Sequence, residues 1–332
     1  MPLYDLPVDQ LRTYRPDVAE PADFDDFWSR TLGEARAHPL ALDARPVATG
    51  LRAVETLDVT FAGFGGHPIK AWYARPAGEA GDLPVVVQYQ GYGGGRGLPH
   101  EHTLWANAGY AYLFMDTRGQ GGTWGSGGET PDPVGHGPAR PGVMTRGIGD
   151  PHEHYYRRLY TDGVRAVEAA RALPGVDASR VVVAGISQGG AVALAVAGLV
   201  PDLAGVMADV PFLCHIRRGV EIGSQDPYLE VAGYLAVQRG HVEQAFRTLS
   251  YVDAVNHARR ATAPAIVSVG LMDQTCPPST VYAAIHHYGT RTGDGPARPP
   301  VEVVEYAFND HEGGQGHQEA RQIAWLAGLL GG

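Results

Sequence analysis

Residues 181–191 read VVVAGISQGGA. Three valines and an alanine run into Gly185-Ile186-Ser187-Gln188-Gly189-Gly190, and an alanine-rich stretch continues to Leu199. A β-branched run bounded by glycine reads as a strand, and a following stretch that is small and apolar all round reads as a buried helix. A strand that turns into a helix across one serine leaves room only for small neighbours, hence Gly185, Gly189 and Gly190. Such a turn lifts the Ser187 hydroxyl above the sheet and points the positive end of the helix at it. The same five letters also occur as a plain structural turn, so partners for Ser187 must come from elsewhere in the chain.

Working outward, short apolar runs recur at 56–64, 68–75, 85–89, 110–115, 180–185, 205–210, 265–270 and 301–308, with 68–75 able to return antiparallel to 56–64. Near-continuous apolar runs indicate strands covered on both faces, hence a mostly parallel sheet. Helical patterns fill the gaps at 155–172, 188–199, 277–288 and 318–330, the first with apolar or small residues at 159, 163, 166, 170 and 173. The alternation predicts one doubly wound α/β domain over residues 1–332, with helices on both faces. With the serine turn it reads as an α/β-hydrolase fold. Residues 1–50 or so form an N-terminal extension, in which Asp23 could cap a helix docked by Phe27 and Trp28. Residues 119–153 and 212–260 break the alternation, and both are expected as insertions at the catalytic edge.

A serine hydroxyl needs a base, and the base needs an orienter. In this fold the chain order is serine, acid, histidine. Asp273 follows the 265–270 strand and precedes Pro277-Pro278 at a helix start. Asp253 sits in an insertion and Asp209 inside an apolar run, so both compete less well. His311 falls in the loop after the last strand, whereas His317 stands at the entry to the final helix. The oxyanion needs two backbone donors. Gln188, after the nucleophile, is one; Tyr92 in Gln90-Gly91-Tyr92-Gly93-Gly94-Gly95 is the other, its ring lining the pocket. That loop lacks the Gly-Lys-Ser/Thr ending of a phosphate loop. His100-Glu101-His102 and His152-Glu153-His154 lack the i, i+4 spacing of a zinc helix and read as solvated loop residues. No metal and no cofactor is implied.

Composition narrows the partners. The 332 residues carry a net charge of −10, which argues against nucleic acid or an anionic membrane as partner. No basic-then-apolar leader and no spanning run is visible. Two cysteines, Cys214 and Cys276, are no disulfide framework and fit a reducing cytoplasm.

Taken together, these residues resemble carbohydrate esterase family 7, the acetyl xylan esterases and cephalosporin C deacetylases. The resemblance runs from Phe24 and Trp28 through Gln90-Gly91-Tyr92 and Arg118-Gly119-Gln120. It continues through Met144-Thr145-Arg146, Tyr155-Tyr156-Arg157-Arg158, Gly185 to Gly189, Asp209-Val210-Pro211 and Thr248-Leu249-Ser250-Tyr251 to His311-Glu312. It implies a cytoplasmic serine esterase removing acetyl groups from xylo-oligosaccharides and from cephalosporin C. It implies Ser187 as nucleophile, Asp273 as acid, His311 as base, and Tyr92 and Gln188 at the oxyanion. It further implies a hexamer, a trimer of dimers, and a variable loop at 289–298. The residues alone leave open a hydrolase of different acyl preference or a peptidase, and a binding protein of the same fold.

Overall fold

The computed structural model describes residues 4–134, 142–291 and 298–331. Parts of the 119–153 insertion (135–141) and of the 289–298 loop (292–297) therefore lie outside the described residues. A nine-stranded sheet organises the chain. Its strands are β1 (Asp43–Pro46), β2 (Val54–Ala62), β3 (Pro68–Pro76), β4 (Leu83–Tyr89), β5 (Ala111–Met115), β6 (Val176–Ile186), β7 (Gly205–Asp209), β8 (Ala265–Gly270) and β9 (Val301–Tyr306). Their order across the sheet is β1-β2-β3-β5-β4-β6-β7-β8-β9. The first three pair antiparallel, β3 meets β5 antiparallel, and every pairing from β5 to β9 is parallel.

The valine runs are explained by this layering. Val85, Val87, Val181 and Val183 face one apolar layer, with the helices Tyr155–Ala172, Gln188–Leu199 and Pro278–His287. Val86, Val182, Met207 and Ile266 face the other, with Trp105 and Leu326. Both neighbours along such a strand are buried, so the sequence shows no alternation. The expected strands and helices are all present. The four-residue edge strand β1 was not expected; it is too short and too polar (DARP) to read as a strand.

Three local expectations are corrected. Asp23 precedes the helix Phe24–Arg36, but its carboxylate makes no capping bond there. It accepts instead from the Tyr251 hydroxyl at 2.6 Å. The helix Tyr155–Ala172 is not amphipathic in its burial. Arg157, Arg158, Asp162 and Arg165 are buried, because the N-terminal extension, the end of β2 and residues 118–134 cover its outer face and supply partners. The 212–260 insertion does not stay at the catalytic edge. Its last helix, Ala254–Ala258, packs behind the sheet against Gly198, where a Cβ would meet the His257 carbonyl at 2.2 Å. Phe212, Tyr228, Leu249 and Val252 of the same insertion belong to the sheet's own apolar layer. Among the described residues no helix is long and apolar enough to cross a membrane.

Candidate active site

The turn at Ser187 has φ +56° and ψ −118°, a region that L residues avoid. Surrounding contacts impose it. A Cβ on Gly185 would sit 2.2 Å from the backbone of Gly189, and one on Gly189 would sit 2.2 Å from the Tyr89 carbonyl. Ser187 N–H donates to the Asp209 carbonyl at 2.9 Å, and Phe212 N–H donates to the Ser187 carbonyl at 2.9 Å. Adjacent strand ends thus clamp the residue that carries the hydroxyl.

The Ser187 hydroxyl donates to His311 Nε2 at 2.9 Å. On the other side of the ring, His311 Nδ1–H donates to Asp273 Oδ2 at 2.8 Å. The second carboxylate oxygen of Asp273 is occupied, accepting from Thr275 N–H at 2.8 Å and Cys276 N–H at 2.7 Å. Oδ2 is thereby left for the imidazole, which fixes the tautomer with its lone pair on Nε2. Asp273 is fully buried, and burial pushes its carboxyl above the usual range against these hydrogen bonds. The acid and histidine loops are laced together. Gln274 N–H donates to Asp310 Oδ1 at 3.0 Å and Met272 N–H to the Asn309 carbonyl at 3.0 Å. The N-terminal extension reaches this place too, through the Tyr4 hydroxyl donating to the Asp273 carbonyl at 2.6 Å.

Asp209 and Asp253 are placed elsewhere by their bonds. Asp209 ends β7 and accepts from Gln318 Nε2 at 2.9 Å and Gln322 Nε2 at 2.8 Å, with burial pushing its carboxyl up to about 6. Asp253 caps the helix Ala254–Ala258. His317 lies within the helix Gln315–Leu330.

Tyr92 lines the pocket over Ser187, and Gln188, the residue after the nucleophile, is fully buried. Gln188 opens its helix, so its N–H has no carbonyl four residues back. Among the described residues, neither that N–H nor the one of Tyr92 donates to a protein acceptor. A pocket of about 420 Å³ lies over Ser187 and His311, lined also by Tyr92, Trp124, Asp226 and Thr275. The insertions furnish its walls. Trp124, 49% exposed, donates its indole N–H to the Tyr92 carbonyl at 2.6 Å. The Tyr92 hydroxyl donates to Glu230 Oε1 at 2.5 Å. Sequence reasoning did not single out Trp124 or Glu230; a lone tryptophan among glycines was the available signal.

Of the four histidines read as solvated, two are not. His154 is buried, with Nε2–H donating to the Met144 carbonyl at 3.1 Å. The His102 ring stacks on Phe114 at 3.8 Å, with its Nε2 bonded to the Arg96 carbonyl at 2.6 Å. Each loop curls back onto the core, which short-range spacing does not reveal. Among the described residues, the one group of His, Cys, Asp and Glu close enough to ligate a metal is Asp273, Cys276 and His311. There the carboxylate and imidazole already bond each other, and burial pushes the thiol up.

A serine bonded to an imidazole, itself bonded to a buried carboxylate, beside two unpaired N–H groups, suits acyl transfer. Comparison with known proteins agrees. The acetyl xylan esterase (AXE1) family model matches residues 1–329. The chain belongs to the acetyl xylan esterase family. That is a family of carboxylic-ester hydrolases on the α/β-hydrolase fold. The acetyl xylan esterase from Paenibacillus sp. R4 is 40% identical, with a TM-score of 0.88 over 96% of this chain and 99% of that one. Acetyl Xylan Esterase 1 from Thermoanaerobacterium sp. JW/SL YS485 is 30% identical, with a TM-score of 0.87 over 98% and 99%. Acetyl esterase Axe7A of Xylanibacter ruminicola is 29% identical over 281 residues, 81% of this chain. The chain spans 60% of that relative's length.

Proposed function

We propose that this acetyl xylan esterase family member removes acetyl groups from small acetylated carbohydrates, xylo-oligosaccharides first, through an acetyl-Ser187 intermediate. The observation that carries the reading is the unbroken chain Ser187 Oγ, His311, Asp273. His311 Nε2 takes the proton as Ser187 Oγ attacks the acetyl carbonyl. Asp273 holds the ring in its tautomer and stabilises the imidazolium. The N–H groups of Tyr92 and Gln188 receive the oxyanion. His311 then protonates the departing sugar oxygen. A water, deprotonated by the same nitrogen, attacks the acetyl-enzyme and releases acetate.

The wall supplied by Tyr92 favours a short acyl group, and the open mouth beside half-exposed Trp124 leaves room for a sugar or for the leaving group of cephalosporin C. Ser187→Ala is expected to lower kcat on p-nitrophenyl acetate on the order of 10⁶-fold. Activity within tenfold of the parent sinks the nucleophile. A longer-acyl esterase is the second reading, and equal kcat/KM for acetate and butyrate esters would establish it.

The whole chain is taken as one hydrolase domain, with 119–153 and 212–260 as insertions. We further propose a cytoplasmic hexamer, a trimer of dimers. The two free, buried cysteines support a reducing compartment, and light scattering on the purified protein tests the hexamer.

A further inference from the structure

We propose that Gln120 is a positioning residue for ester hydrolysis, a single amide that sets the spacing between the two oxyanion donors. The inference rests on the roles proposed for Tyr92 and Gln188. Those donors sit on separate segments, one in the loop after β4 and one at the turn after β6. An oxyanion site accelerates reaction only if both N–H groups are already in place when charge develops. Something must therefore tie the two segments together.

Gln120 does so with both ends of its side chain. Its Oε1 accepts from Gly93 N–H at 2.6 Å, one residue past Tyr92. Its Nε2 donates to Gln188 Oε1 at 2.9 Å and to the Tyr155 hydroxyl at 2.9 Å. Gln188 completes a ring, donating its Nε2 to the Gln90 carbonyl at 3.2 Å, two residues before Tyr92. Tyr92 is thus bracketed on both sides by amides anchored to the residue after the nucleophile. The orientation of each amide is forced. Gln188 Oε1 also accepts from the Tyr156 hydroxyl at 3.0 Å, and the Tyr155 hydroxyl donates onward to the Arg118 carbonyl at 2.6 Å. Only a side chain that accepts at one end and donates twice at the other fits, which is the inventory of glutamine. Gln120 is itself held between Gly119 (φ +63°) and Gly121 (φ +92°). The backbone N–H groups of Gly121 and Thr123 both reach the Gly93 carbonyl at 3.2 Å.

The test compares Gln120→Met, which removes all three bonds at similar volume, with Gln120→Glu, which keeps only the acceptor for Gly93. With p-nitrophenyl acetate, Gln120→Met is expected to lose ~10²-fold in kcat with KM within about threefold of the parent. Affinity for a trifluoromethyl ketone, which adds to a serine and carries an oxyanion, should fall by the same factor. For Gln120→Glu, the ratio of its kcat to the parent's should rise as pH falls from about 8 to about 6, because a neutral carboxyl regains one donor. Thermal unfolding reports whether each variant is folded. If Gln120→Met is not, Tyr156→Phe decides, with about a tenfold fall in both kcat and ketone affinity expected. A folded Gln120→Met, or failing that a folded Tyr156→Phe, that stays within about threefold of the parent on both measures overturns the proposal. Ser187→Ala run alongside separates the two failures. If it is inactive, only the positioning role falls; if it is active, the triad reading falls with it.

Discussion

Two segments meet at Ser187, and only one of them relies on buried charged side chains. The turn from β6 into its helix is fixed by contact: backbone against backbone, with no room for a Cβ at Gly185 or Gly189. The segment from Asp116 to Asp132 is fixed by polar groups. Asp116 accepts from the N–H groups of Arg96, Thr117, Glu129 and Thr130. Buried Arg118 is paired with Asp162 and Asp132, and Asp132 also meets Arg158 at 2.7 Å. Burial alone would raise the Asp132 carboxyl, but Arg158 and Arg118 hold it below its usual range. Contact imposes strain on one residue without polar cost. The glycine-rich loop also packs backbone on backbone, a Cβ on Gly121 meeting Gly128 N at 2.5 Å, but with few apolar side chains it adds buried, paired charges.

Each mode of holding fails differently. The largest effect is expected at Gly189→Ala, where the new Cβ would sit 2.2 Å from the Tyr89 carbonyl. Separating β4 from the turn moves Tyr92 and Gln188 apart, so kcat should drop ~10³-fold, along with a lower melting temperature. Unchanged kcat would show that the turn has slack. Next comes Asp162→Asn, which leaves the Arg118 guanidinium short of a buried partner. Urea unfolding should show a loss of about 3 kcal/mol. Arg118→Met with Asp162→Leu should recover part of it, since a missing pair costs less than a half pair. If the double variant is weaker than Asp162→Asn, the pair itself is stabilising.

A smaller, pH-dependent effect belongs to His154, whose burial lowers it to about 4. The unfolded chain protonates first, near 6.5, so this contribution is complete above that pH and is lost as pH falls toward 4. About 2 kcal/mol should disappear between about pH 7 and pH 5, and His154→Gln should lack that part of the slope. The smallest effect is at Trp124, half exposed at the pocket mouth. Trp124→Ala should raise KM for acetylated xylotriose about fivefold, and for p-nitrophenyl acetate less, measured by acetate release. Equal changes would assign the indole to the acyl side of the pocket.

The sequence by itself determined the sheet apart from its short edge strand β1, the parallel core and the residues that meet at its edge. Valine runs buried on both faces, glycines forced by close approach, and an acid and a histidine at successive strand ends are all local patterns, readable within a few residues. Tertiary structure decided what those patterns do not contain. Arg118 and Asp162 lie 44 residues apart, and Gln120 and Gln188 lie 68 apart. Glu230 is 138 residues from the tyrosine it orients. A charged or amide side chain has no periodicity that names its partner, so nothing local pairs the arginines of the helix Tyr155–Ala172. Only the folded chain shows them buried and paired, because the free energy of a buried polar group depends on its partner's position rather than on its neighbours in sequence.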